Sequence, residues 1–282
     1  MGLPPPRRRG RLAALGLSAL LATAIACQPV TPPPQAGFAD EFDGTSLGRA
    51  WHPNRWFSSV CAAGATSGEQ QWYRPGAATV SDGTLVLTAT AGQNSCNEGS
   101  WSGTRPYASG WVQTGGVRSP SRTTPPGYQF TFGRVDVRFK VDAGAGLWPA
   151  IWLLSAGTPR ADGSHPYPSR PEIDVLELYG DQPDLWKFHL HSTATDGSLL
   201  DPGSRTVGPD TSSGWHVASV EWRSDHITWF VDGTPAWTYR GPGIPQEPLY
   251  LILNLAVGGH AGTPDPAAFP ATMQVDYVRI TP

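Results

Sequence analysis

Glycine and proline recur every few residues along this 282-residue chain, 33 of one and 29 of the other. That punctuation limits which regular structure can form. Proline lacks the N–H that an interior helix position needs, and glycine costs about 1 kcal/mol there relative to alanine. Long amphipathic helices also draw on lysine, and this chain has two, Lys140 and Lys187. What fits between the breaks is a series of short strands. Apolar, β-branched or alternating runs lie at Thr84–Thr90, Gly133–Val141, Ala150–Leu154, Glu172–Leu178, Trp186–Ser192, Val217–Trp222, His226–Asp232, Leu249–Leu255 and Met273–Ile280. Asp232-Gly233 supplies hairpin-turn chemistry between Ile227-Thr-Trp-Phe-Val231 and Pro235-Ala-Trp-Thr-Tyr239. The spacing predicts an all-β sandwich of two antiparallel sheets, with minimal helix and a Gly/Pro/Ser-rich loop over residues 155–171. At 39% hydrophobic the chain can bury a sizeable core.

The N-terminus reads as an export signal. Arg7, Arg8, Arg9 and Arg11 precede an apolar run from Leu12 to Ala26, about 15 residues where a membrane span needs roughly 20. Residues 1–26 are therefore expected to be removed. Ala24-Ile25-Ala26-Cys27 resembles a bacterial lipobox, although Ala24 stands where leucine is usual, so Cys27 is the expected lipidation site. Residues 27–36, rich in proline, read as a tether between that anchor and a single domain over residues 37–282. The expected location is the bacterial cell surface, with the lipid as the only membrane contact; free secretion is the alternative. Losing the four leader arginines takes the formal charge from −3 to −7, the wrong sign for a nucleic-acid partner. With Cys27 set aside, Cys61 and Cys96 form an even pair in an oxidising compartment, and a disulfide is expected.

Glu172-Ile-Asp-Val-Leu-Glu177 places three carboxylates in an otherwise apolar strand. Strand side chains alternate, so Glu172 and Asp174 share a face while Glu177, five residues on, falls on the other. A β-bulge adds one residue and restores the phase. With the bulge at Val175-Leu176, all three carboxylates face one way and Ile173 turns to the core. Two glutamates so arranged suit glycoside hydrolysis by retention, whose carboxyl pair stands about 5–5.5 Å apart. An exposed edge strand or a calcium cluster is the plainer alternative.

These residues resemble the active-site signature of glycoside hydrolase family 16, in the bulged Glu-x-Asp-x-x-Glu form typical of laminarinases. Further blocks resemble that family in order: Asp40-Glu-Phe-Asp-Gly44, Gly68-Glu-Gln-Gln-Trp-Tyr73, Ser81-Asp-Gly-Thr-Leu85, Phe132-Gly-Arg134, Gly146-Leu-Trp-Pro-Ala-Ile-Trp-Leu-Leu154, Val220-Glu-Trp222, Asn254-Leu-Ala-Val-Gly-Gly259 and Val275-Asp-Tyr-Val-Arg-Ile280. The resemblance implies a β-jelly roll with a concave carbohydrate cleft. It also implies a retaining endo-β-1,3-glucanase, monomeric, needing no cofactor for catalysis. Other β-glycans (mixed-linkage glucan or galactan), transglycosylation, or a non-catalytic glucan-binding lipoprotein are the alternatives.

On that resemblance Glu172 is the nucleophile and Glu177 the general acid/base, with Asp174 separating their pKa values. Trp148 and Trp152 line the cleft, His191 faces it from the following strand, Glu69 borders the donor-side subsites, and Asn254 is a further substrate contact. Trp222 and Trp229 are expected in the core. A structural calcium ion is expected at Asp276, Glu41 and Gly83, the last two through backbone oxygens. Two departures stand out. Gly258-Gly-His-Ala-Gly262 lacks the tryptophan common in that loop, and Trp111 stands where arginine is common.

Overall fold

The structure, a computed structural model, describes residues 1–2, 36–55, 60–64, 68–98, 101–116, 127–155 and 171–282. Nearly all of the leader and of the tether, Cys27 and most of the 155–171 loop lie outside the described residues. Among the described residues there is no α-helix; short 3-10 turns such as Pro75–Ala77 and Gly259–Ala261 are the helical content. None is long and apolar enough to cross a membrane.

Strand Gly133–Val141 shows why these residues make sheets. Val135, Val137, Phe139 and Val141 turn inward, while Arg134, Asp136, Arg138 and Lys140 turn outward, so every second residue is buried. Burying such a side chain contributes roughly 1.5–3 kcal/mol. The strand pairs with His216–Trp222 on one side and Ala271–Thr281 on the other, within an eleven-stranded sheet. A seven-stranded sheet has the central order Gln182–Thr193, Glu172–Tyr179, Leu147–Ser155, Leu249–Val257, with antiparallel neighbours throughout. The two sheets enclose one core, in which Val135, Val137 and Phe139 meet Leu153, Ile173 and Leu251. Trp222 and Trp229 are fully buried in it, as expected. Strand Leu249–Val257 is buried along its whole length, because its second face is covered as well.

Asp232 and Gly233, both at positive φ (46° and 79°), close the expected hairpin in the conformation that Asp-Gly favours. The strand expected at Thr84–Thr90 instead runs to Glu98 and pairs with Trp101–Ser109. From Thr90 to Ser95 its residues are exposed or only half-buried, so no alternation marks it. Cys61 and Cys96 are disulfide-bonded, with Cα atoms 6.1 Å apart, which ties this extension to the short Ala62–Ala63 strand.

Candidate active site

The bulge forms where the spacing required it. On the Leu147–Ser155 side, Asp174 pairs with Trp152 and Leu176 with Ile151, so Val175 is the additional residue. On the Gln182–Thr193 side, Asp174 pairs with His189 and Glu177 with Lys187. Both Val175 and Leu176 enter the core, as does Ile173. Residues opposite one another in an antiparallel pair share a face, so Glu172, Asp174 and Glu177 stand together on the face away from the core. Trp229, from the other sheet, donates its indole N–H to the Asp174 carbonyl at 2.8 Å, beside the interruption.

Glu177 is held at both oxygens. Trp148 Nε1–H donates to Oε1 at 3.1 Å, and His189 Nδ1–H donates to Oε2 at 2.9 Å. Burial acts to raise this carboxyl, but the His189 and Trp148 bonds and the charges of His189 and His191 outweigh it and hold the carboxyl below the usual glutamate range. Asp174 is buried, with Oδ2 3.1 Å from His191 Nε2 and 4.0 Å from His189 Nδ1. Burial, reinforced by the neighbouring Asp174 and Glu177 charges, pushes Glu172 well above the ordinary value. His191 is raised to about 10 by its hydrogen bond to Asp174, and by Asp201, which lies 2.9 Å from its Nδ1. His189 is raised by its bond to Glu177. These surroundings favour the ionised form of Glu177 and disfavour that of Glu172, the reverse of what the expected roles require at the moment of reaction.

On one side of the acidic strand lies an aromatic and amide network. Trp152 Nε1–H donates to Asn254 Oδ1 at 2.7 Å, and Asn254 Nδ2–H donates to the Tyr73 hydroxyl at 3.0 Å. Tyr73 donates to Glu69 Oε2 at 3.0 Å, which also accepts from Gln71. Trp111, the departure from the expected arginine, meets Trp152 edge-on at 5.4 Å, and the Arg55 guanidinium lies 5.5 Å from its centroid. Glu69, Asn254 and Trp152 thus come together, and Trp148 and His191 reach the same face. His260, in the loop without tryptophan, packs edge-on against Trp148 at 5.1 Å.

His189 was not among the residues expected at the site. It shares a face with His191, but its contact with Glu177 depends on how the bulge sets the pairing. Asp174, His189 and His191 bring ligand-type atoms within 4.8 Å of one another, a spacing at which a transition metal could be held. As they stand, those atoms are engaged with one another and with Glu177.

The positions expected for calcium converge. Glu41 follows the Phe38–Asp40 strand, which pairs with the strand holding Asp276, and Gly83 turns into a strand paired with the same partner. Asp276 Oδ2, however, accepts from Arg138 at 2.6 Å, and Glu41 accepts from Arg279 at 2.8 and 2.9 Å. A cation taking the Asp276 carboxylate would have to displace Arg138, whereas the Arg279 bonds involve the Glu41 side chain and not the backbone oxygen expected as a ligand.

The family model described as Glycosyl hydrolases family 16 matches residues 69–279. The beta-glucanase of Rhodothermus marinus is 31% identical over 261 residues, covering 86% of this chain and 83% of that protein. Endo-1,3-1,4-beta-glycanase EglC of Rhizobium meliloti is 32% identical over 259 residues, with 86% of this chain but only 50% of that protein covered. Among solved structures, LamA of Z. galactanivorans in complex with laminaritriose and laminaritetraose superposes with a TM-score of 0.70 at 27% identity, covering 86% of this chain and 97% of that one.

Proposed function

The chain belongs to family 16 of the glycosyl hydrolases, and from that premise we propose that it is a retaining endo-β-1,3-glucanase. The observation that carries this is the row of three carboxylates on one sheet face, with Glu177 clamped between Trp148 and His189. Glu172 attacks the anomeric carbon and Glu177 protonates the departing glycosidic oxygen, leaving a covalent glycosyl-enzyme. Water, deprotonated by Glu177, then releases the sugar with its original configuration. Two proton shifts ready the site for reaction. Any proton on Glu172 passes to the neighbouring Asp174, which bares the nucleophile, and the His189 proton moves to Glu177 Oε2, which loads the acid. Neither shift changes the total charge, so neither requires an ion to enter the cleft. Flat indoles such as Trp152 supply apolar faces on which sugar rings stack.

Proton NMR of laminarin digestion during the first minutes is the test. A β-anomer appearing first is expected, whereas an α-anomer would mean inversion and end the role assignment. Cleavage of mixed 1,3-1,4 glucan is a second reading, favoured by the likeness to EglC; lichenan assayed beside laminarin separates the two. The same reading has the enzyme working as a monomer, exported and held at the cell surface by lipid on Cys27. Ala-Ile-Ala-Cys and the Pro-rich segment behind it support that placement. Cys27→Ser should release the protein from the membrane fraction, and a wild-type protein found soluble with residue 27 unmodified would refute the anchor.

A further inference from the structure

The face of the seven-stranded sheet that carries the acid pair changes character on crossing it. Toward the sheet edge, Lys187 pairs directly with Glu177, and Arg205, on strand Gly203–Val207, pairs directly with Lys187. Glu177, Lys187 and Arg205 therefore form a line across the strands, with successive Cα atoms about 5 Å apart. That direction is the one a polysaccharide takes when it crosses a strand bearing both its nucleophile and its acid. Lys187 is half-buried, its ammonium 2.8 Å above the centroid of the Tyr179 ring, which in turn faces Trp148. Arg205 is exposed.

Among the described residues neither cation has a carboxylate within ion-pair distance, whereas Arg134, Arg138, Arg223, Arg240 and Arg279 each do. The solvated surface cation is the plain alternative, and it suits Arg205 taken alone. It does not suit Lys187, half-buried and directly opposite the acid on the adjoining strand. A neutral glucan offers hydroxyl groups, for which amides and uncharged donors suffice. Two adjacent cations offer what a carboxylate or sulfate oxygen needs, a point charge and a planar fork of donors.

We propose that the leaving-group side of the cleft accepts a β-glycan carrying an anionic substituent, a carboxylate or a sulfate ester, seated between Lys187 and Arg205. The assignment rests on the glucanase reading for its direction. On that reading Glu69 borders the donor side, with Asn254 joined to it through Tyr73, so the line running from Glu177 away from them extends under the departing chain.

The experiment compares laminarin with two derivatives, one partly oxidised to carboxylates at its primary hydroxyls and one partly sulfated. At low salt, kcat/KM for one derivative should exceed that for laminarin by about tenfold, the scale of a charge-assisted hydrogen bond. In about 1 M salt, where the Debye length is about 3 Å, the advantage should largely vanish. Lys187→Met and Arg205→Met should each shrink the ratio between derivative and laminarin; Arg205 is exposed, so its variant should fold normally. The derivative that gains identifies the anion. Equal kcat/KM for all three substrates, or a preference that survives in the double variant, would overturn the proposal while leaving the glucanase reading intact. If no laminarin is cut, the glucanase reading fails by itself. Calorimetry with Glu172→Ala then decides this one: tighter binding of the acidic oligosaccharides supports it, and equal binding ends it.

Discussion

The two halves of the cleft face use opposite strategies around one acidic strand. On the Leu249–Val257 side, the polar atoms of Trp152, Asn254, Tyr73 and Glu69 are joined in a chain of hydrogen bonds, with Asn254 and Tyr73 buried. Their geometry is set before any sugar arrives, which lowers the ordering cost of binding. On the Gln182–Thr193 side, His189, His191, Lys187 and Arg205 carry or exchange charge. Two of these are bonded to the acids and two are not. One half recognises shape, and the other supplies protons and charge. The contrast assigns positioning to the first and chemistry, with its pH dependence, to the second.

Substitutions can break that division. Glu172→Ala should lower laminarin turnover by at least about 10⁴-fold, since a reacting group is lost; azide should partly restore it and give the inverted product. Glu177→Ala should cost about 10²–10⁴-fold on laminarin and much less on aryl glycosides, whose leaving groups need little protonation. His189→Gln should reduce kcat about tenfold or more, from the ~1.5–3 kcal/mol of a hydrogen bond to a charged group. It should also move the alkaline limb of the pH profile to lower pH. In the wild type the shared proton stays on the His189–Glu177 pair up to the raised His189 pKa, whereas the variant has only the carboxyl to hold it. An unmoved limb would remove His189 from the proton path.

Asn254→Ala tests the other half. It leaves the Trp152 N–H without its acceptor and the Tyr73 hydroxyl with Glu69 alone, so it should cost about 1–3 kcal/mol of stability and raise KM without shifting the pH profile. A shift there would erase the division of labour. The effect of His191→Asn is read through stability. Folding raises the His191 pKa from 6.5 to about 10, so its contribution to stability is full below pH 6.5 and fades as pH rises toward 10. The Tm difference from wild type should therefore be larger at pH 6 than at pH 10; a constant difference would mean that His191 acts by packing.

The two halves also differ in how far the sequence discloses them. Local alternation made Gly133–Val141 legible to the residue, and the five-residue spacing of Glu172 and Glu177 called for a bulge that is present. The aromatic half was partly legible too, because Trp152, Asn254 and Glu69 stand in blocks resembling a known family. The basic half was not. Arg205 reaches Lys187, and Lys187 reaches Glu177, through pairing between strands, and nothing local in the sequence reports cross-strand partners. The direction in which each carboxyl is shifted was hidden for the same reason, since it depends on which histidine lands on which carboxylate. The Thr90–Glu98 extension escaped because pairing and a disulfide hold it more than burial does.

The indole N–H of Trp229 ends on the backbone carbonyl of Asp174, at the point where the strand gains its additional residue. A sequence that lost Val175 would regain a regular ladder and still present all three carboxylates to the same face. The carbonyl that meets the indole would then sit in that ladder rather than beside an interruption. The inserted residue and the tryptophan beneath it therefore form one structural unit split between two distant places in the chain. Across descendants they should tend to persist or disappear together, although one belongs to the sheet that does the chemistry and the other to the sheet that does not.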